Sequence, residues 1–157
     1  VPVKLPDGRV LMGGRGIEPD VEVKGQAFNQ TRFRINDAAF YFVRQLVAGK
    51  ISGLESYKVD RQNHQWSIAP DAFPITDRLF EAFKAYTLAN KQNALTPENL
   101  AAEADYARMR LRMEIATANY SNEAGIQVLL ERDPQVLKAV EVMPEARGFV
   151  DNNLASK

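Results

Sequence analysis

His64 is the single imidazole in a chain of 157 residues that contains no cysteine. Sites that need two imidazoles, a thiolate or a zinc knuckle are therefore excluded. His64 lies between Asn63 and Gln65, close to Asp60, in a polar stretch that predicts a loop imidazole near solvent. To act as a general base it would need a serine held on a sharp turn, and no Gly-x-Ser-x-Gly pattern surrounds Ser52, Ser56, Ser67, Ser121 or Ser156. Gly13-Gly14-Arg15-Gly16 invites a phosphate-loop reading, but the dinucleotide pattern starting at Gly14 requires glycine where Pro19 stands. No Gly-Lys-Ser/Thr follows, and a plain turn is expected. The acids Glu98, Glu103, Asp105 and Glu114 do not repeat on one helical face with a histidine three residues on, so a di-metal carboxylate bundle is rejected. Arg108, Arg110 and Arg112 form the densest basic run. Alternate positions on a helix lie about 200° apart, so the three do not make one patch. With Glu103, Asp105 and Glu114 around them they predict a solvated, salt-bridged face. Spacing alone assembles no active site: no catalytic, cofactor-binding or metal-ligating residue is assigned.

Composition narrows the classes that remain. Twenty Lys+Arg balance twenty Asp+Glu, which disfavours a surface built to neutralise phosphates and makes nucleic acid an unlikely main partner. Hydrophobic residues at 45% and charged residues at 25% are ordinary globular values. The length suits one compact domain or a small domain with an appendage, large enough to hold a core without disulfide or metal. The start, Val1-Pro2-Val3-Lys4, lacks the basic and apolar regions of a signal peptide, and no stretch approaches the roughly 20 apolar residues of a membrane span. The chain reads as a mature form, a cleavage product or an excised piece.

The elements that would position these residues change character along the chain. Five of the nine glycines (Gly8, Gly13, Gly14, Gly16 and Gly25) fall in residues 1–25. Leu5-Pro6-Asp7-Gly8 is a turn sequence, and the segments flanking it, Val1–Lys4 and Arg9–Met12, predict a β-hairpin. Val21-Glu22-Val23 alternates as a short half-buried strand does. From about residue 31 the period becomes helical: Ile35, Ala39, Phe42, Val43 and Leu46 recur at steps of three and four before Gly49. Phe40, Phe42, Phe80 and Phe83, also at helical spacing, read as core. Residues 50–74 predict a connector pinned by Trp66, Phe73 and Ile75, since Pro70 and Pro74 exclude a continuous helix. Thr76 caps a helix to about Ala89 carrying Leu79, Phe80, Phe83 and Tyr86. Thr96-Pro97-Glu98 opens another, to about Tyr120, with Leu100, Ala104, Ala107, Leu111, Ile115 and Ala118 as its stripe. A shorter helix over Asn122–Arg132 presents Ile126, Leu129 and Leu130. Asp133-Pro134 starts a last one through Val136, Leu137, Val140 and Met143, which Pro144 should end.

Two stretches carry a family resemblance. Leu5-Pro6-Asp7-Gly8-Arg9, followed by Gly14-Arg15-Gly16-Ile17-Glu18-Pro19-Asp20-Val21-Glu22-Val23, resembles the segment after the catalytic centre of bacterial C-terminal processing serine peptidases (tail-specific proteases). That family reads Thr/Ser-Pro-x-Gly-Arg and then Gly-x-Gly-Ile-x-Pro-Asp there. Residues 112–146, including Gly125-Ile126-Gln127-Val128-Leu129 and Asp133-Pro134-Gln135-Val136, resemble the helical tail of some members. With Ala69-Pro70-Asp71-Ala72-Phe73-Pro74-Ile75-Thr76-Asp77 between them, the resemblance covers most of the chain. It implies a serine nucleophile and a lysine general base, both before the Gly-Ile-x-Pro-Asp segment, and often a PDZ domain earlier still. None of these is present, so no catalytic residue is carried over.

The fold class expected is α+β: closing strands of a peptidase core over residues 1–25, a helix plus irregular connector over 26–75, and a helical region over 76–157. The resemblance implies a periplasmic or cell-envelope protein whose partners are polypeptide substrates, taken through the parent enzyme, and the remainder of the peptidase core. No cofactor is expected. The competing expectation is a stand-alone helical interaction or dimerisation module without enzymatic activity, because several apolar stripes must find partners.

Overall fold

The computed structural model describes residues 2–5, 8, 10–12 and 19–155, without the side chains of residues 11, 12 and 149–155. The glycine-rich Gly13–Glu18 stretch, Pro6-Asp7 and Arg9 of the expected hairpin, and Ser156 lie outside the described residues. Among the described residues the chain is mostly helical, with 61% in helix. The β part is small: β1 (Pro2–Lys4) and β2 (Val10–Met12) pair antiparallel, Pro2 opposite Met12 and Lys4 opposite Val10. Gly8, at φ +87°, donates its amide to the Leu5 carbonyl at 3.0 Å and closes the connection, a geometry glycine adopts without steric cost. Val21–Val23, expected as a strand, has no strand partner among the described residues; its Val23 carbonyl is instead met by the Gln135 side chain. The α+β expectation thus reduces to a helical protein with a two-stranded appendage.

Helix α1 (Gln30–Val47) starts where the Asn29 side chain accepts from the Arg32 amide and ends at Gly49, whose φ of +70° suits a residue without Cβ. Thr76 caps α2 (Asp77–Ala89), accepting from the Leu79 amide. Thr96 caps α3 (Pro97–Ala102) through a capping box in which the Asn99 side chain answers the Thr96 amide. The single helix expected from Thr96 to Tyr120 is in fact two. Glu103 leaves helical geometry (φ −110°, ψ 26°), and α4 (Ala104–Asn119) begins after it. The cause is tertiary: the Glu103 carboxylate accepts from Asn29 Nδ2 and Arg32 Nε of α1, at 2.7 and 2.8 Å.

Ser121 caps α5 (Asn122–Leu130), and Asp133 accepts from the Gln135 and Val136 amides at the start of α6 (Pro134–Ala155). Helix α6 does not stop at Pro144. Proline's fixed φ is compatible with a helix, and the missing amide costs one bond on a helix whose Leu137, Val140 and Met143 are exposed rather than buried.

Two apolar clusters meet along α4. Ile35, Phe42 and Leu46 of α1, Leu79 and Phe83 of α2, Leu100 of α3, and Leu111 and Ile115 of α4 are fully buried in the larger cluster. Each such side chain contributes about 1.5–3 kcal/mol of transfer free energy. Ile68, Met109, Ala116, Ala124 and Val128 form the smaller one, and Phe73 and Tyr106 pack against both. Trp66 does not pin the connector: it is 75% exposed, and Leu54 and Ile68 take that place. Phe40 is likewise outward, while Phe42, Phe80 and Phe83 are core as expected.

Helix α5 buries a different face from the one its larger residues suggest. Ile126 and Leu130 are exposed, whereas Ala124, Gly125 and Val128 meet α4. Close approach requires this. A Cβ at Gly125 would stand 2.0 Å from Thr117 Oγ1 and 3.1 Å from the Met113 carbonyl. Gly125→Ala is therefore expected to cost about 1–3 kcal/mol through overpacking, and Thr117→Ala in the same chain should recover part of it. Urea unfolding of the two single variants and the double variant measures this; a fully additive cycle would contradict the stated contact.

Candidate functional site

The arginines that looked like a solvated face are ties between elements. Arg108 Nη1 donates to the Ile75 carbonyl at 2.8 Å and Nη2 to Asp77 at 2.7 Å, and its guanidinium lies 4.2 Å from the Phe80 ring centroid. Arg110 pairs with Glu114 one turn on. Arg112 holds the most: Nε donates to the Ala72 carbonyl and Nη2 to the Pro70 carbonyl, each at 2.8 Å, and the fork pairs with Glu131. One planar cation so binds the connector and the end of α5 to α4, a task that uses the rigid donor fork of arginine. The three are only 31%, 21% and 14% exposed, which corrects the expectation of a solvated face while leaving its ion pairing in place.

Two adjoining clefts run beside these ties. One, of about 190 Å³, is lined by Arg108, Arg112 and Glu131 around Met109 and Val128. The other, of about 390 Å³, is lined by Arg32, Asp105 and Tyr106; Met109 and Arg132 border both. Arg32 donates to Glu103 and to the Ala27 carbonyl and stacks 4.6 Å from the Tyr106 ring centroid, while the Tyr106 hydroxyl donates to Asn36 at 2.8 Å. These groups orient one another. The cleft linings contain cations, carboxylates and apolar atoms but no serine, lysine or histidine.

The residues that could have carried acyl transfer are scattered. His64, Ser52, Ser56 and Ser67 are exposed, and Ser121 is occupied in capping α5. Among the described residues no serine hydroxyl is hydrogen-bonded to a lysine or to His64, the contact by which a base would activate it. Lys58, Lys84 and Lys138 face Asp60, Glu81 and Glu141. Among the described residues no group of three or more histidines and acids is placed to hold a metal ion, and no helix is long and apolar enough to cross a membrane.

Sequence reasoning missed the Asn29–Arg32–Glu103 knot, for which the only local signal was an acid interrupting the apolar stripe between Leu100 and Ala104. It also missed the aromatic outer side of α1, because Phe33, Phe40 and Tyr41 look like core residues in any linear reading. No family model, no curated protein and no solved structure matches the chain.

The knot has a pH signature. Burial pushes the Glu103 carboxyl up, but hydrogen bonds from Asn29 and Arg32 and the Arg32 charge outweigh it, so the pKa is lowered from 4.5. A carboxylate with a depressed folded-state pKa contributes stability that is present above the unfolded value and is lost as pH falls through the folded one. Glu103→Gln should accordingly be less stable than the parent near neutrality and show a shallower loss below about pH 4.5. Denaturant titrations at pH 7 and in the acid range test this, and parallel pH profiles for the two proteins would contradict it.

Proposed function

We propose that the chain is the C-terminal, non-catalytic part of a bacterial C-terminal processing serine endopeptidase, with the Ser–Lys pair encoded ahead of Val1. The carrying observation is the Gly14–Val23 motif, which sits in the order of that family directly after a Leu5-Pro6-Asp7-Gly8-Arg9 turn sequence. Support comes from the segment around it. Strands β1 and β2 pair only with each other among the described residues, and Pro2–Lys4, Val10 and Asp20–Glu22 are exposed. Isolated hairpins of this length are marginal in water and gain independent stability when further strands or a helix cover them.

In the parent enzyme a desolvated lysine loses its proton readily and deprotonates the serine. The residues of this chain do none of that chemistry. They continue the core past its last strands and set a helical body against it, shaping the approach of polypeptide substrates. The compartment is the periplasm or cell envelope.

One observation favours a second reading, a helical module that pairs with its own kind. Leu137, Val140 and Met143 lie exposed at steps of three along α6. The two readings differ in what the chain does alone. A fluorophosphonate probe should leave the isolated chain unlabelled and should label the longer polypeptide encoded by the gene at a serine ahead of Val1. Labelling at Ser52, Ser56, Ser67 or Ser121 would defeat the peptidase reading in this form, as would a gene with no serine and lysine before Val1.

A further inference from the structure

The two clefts beside the arginine ties are walled by side chains that hold one another in place. The larger, of about 390 Å³, lies between Arg32 of α1, Asp105 and Tyr106 of α4, the Gln26-Ala27 segment and Arg132. Gln26-Ala27 is latched at both residues: the Gln26 side chain donates to the Arg132 carbonyl at 3.1 Å, and Arg32 donates to the Ala27 carbonyl at 3.0 Å. The Tyr106 ring is fixed between the Arg32 guanidinium and its own bond to Asn36. Met109, 8% exposed, is shared with the smaller cleft of about 190 Å³, to which Ile75 and Val128 add further apolar surface. Ligand sites are preformed concavities of roughly 300–1,000 Å³, largely apolar with a few convergent polar groups. The larger cleft falls at the low end of that range, which suits a small molecule.

The charges of the lining say which small molecule. Arg32, Arg108 and Arg112 each already face a carboxylate, those of Glu103, Asp77 and Glu131. Asp105 and Arg132 are different. Both border the larger cleft, and among the described residues neither side chain makes an ion pair or hydrogen bond, with the other or with anything else. Unmatched charges are ordinary on an open surface, but here two of opposite sign stand apart across one walled space. A plain anion drawn to Arg132 would face the Asp105 carboxylate, and a plain cation at Asp105 would face the guanidinium. Such like-charge juxtaposition costs affinity. A molecule that carries both signs at separate ends meets both groups without that cost.

We infer that the paired clefts bind a short zwitterionic peptide of dipeptide size, its carboxylate taken by Arg132, its ammonium by Asp105 and an apolar side chain by the smaller cleft. The planar donor fork of arginine matches a carboxylate bidentately. Two extended residues span about 7 Å, a separation that suits two charges too far apart to pair with each other. The apolar side chain passes over Met109 toward Ile75 and Val128. Binding is non-covalent, since the linings hold no serine, lysine or histidine. The inference draws on no residue of the Gly14–Val23 motif and stands apart from the peptidase reading.

The test titrates three probes into the 157-residue chain: alanyl-leucine, its N-acetyl form and its C-terminal amide. Calorimetry measures affinity and amide NMR locates the site. Alanyl-leucine should bind with a dissociation constant in the millimolar range or tighter, moving the signals of Tyr106, Met109 and Arg132. Each blocked form should bind at least about tenfold more weakly, because one charged group then lacks its partner. Arg132→Gln should remove the preference for the free carboxylate, so that the dipeptide and its amide bind alike. Asp105→Asn should do the same for the free amine. Both side chains are exposed, so both variants should unfold at the parent's temperature; the three-probe comparison on the parent stands without them. Absence of binding at tens of millimolar would overturn the inference. So would an N-acetyl form that binds as well as the dipeptide, which would make this an anion site only, or preferences that survive both substitutions.

Discussion

The burial of the inner face of α1 against α2 and α4 is the contact on which the remaining structure depends. Phe42 sits at its centre, its ring 5.6 Å from that of Phe83 and 5.4 Å from that of Tyr86, and the fully buried Ile35, Leu46, Leu79, Leu111 and Ile115 surround it. The contact is non-directional and proportional to area, so by itself it does not fix where α4 begins or where the connector runs. Directional bonds supply that. Glu103, pulled to Asn29 and Arg32, ends α3 and sets the start of α4; Arg112 gathers Ala69, Pro70, Ala72 and Glu131 at one point. Polar groups thus orient a body whose stability is apolar, and this is why the arginine-lined clefts, for all their charge, are better explained as joints than as a reaction centre.

Local chemistry was legible in the sequence where one residue decides it. Thr76, Thr96-Pro97 and Asp133-Pro134 each mark a helix start because a side-chain oxygen or a missing amide satisfies the helix end without help from elsewhere. The stripes of α1 and α2 were legible because a helix against a large core repeats its apolar residues at 3.6. The failures are tertiary. The break at Glu103 depends on two partners some 70 positions earlier. The buried side of α5 is its small side, since Gly125 admits Thr117 and the Met113 carbonyl, and a reading that weighs residues by size looks to Ile126 and Leu130 instead. An interior proline usually ends a helix, yet α6 passes through Pro144.

The candidate site was legible only as an absence: no spacing assembled a nucleophile with a base, and His64 and the serines stand apart. The outer side of α1 was hidden by its own composition. Phe33 and Phe40 share a helix with Phe42, and nothing in a linear pattern tells a core-facing aromatic from an exposed one. The helical body carries both apolar clusters, and the described residues of β1 and β2 belong to neither.

Amide hydrogen exchange on the isolated chain measures that inequality directly. The account predicts slow exchange for Ile35–Leu46 and for the buried turns of α4, with Pro2–Lys4, Val10–Met12 and residues 19–28 exchanging as an unprotected chain does. Protection of the two strands comparable to that of α1 would mean that the N-terminal segment is complete as it stands, and would contradict the account.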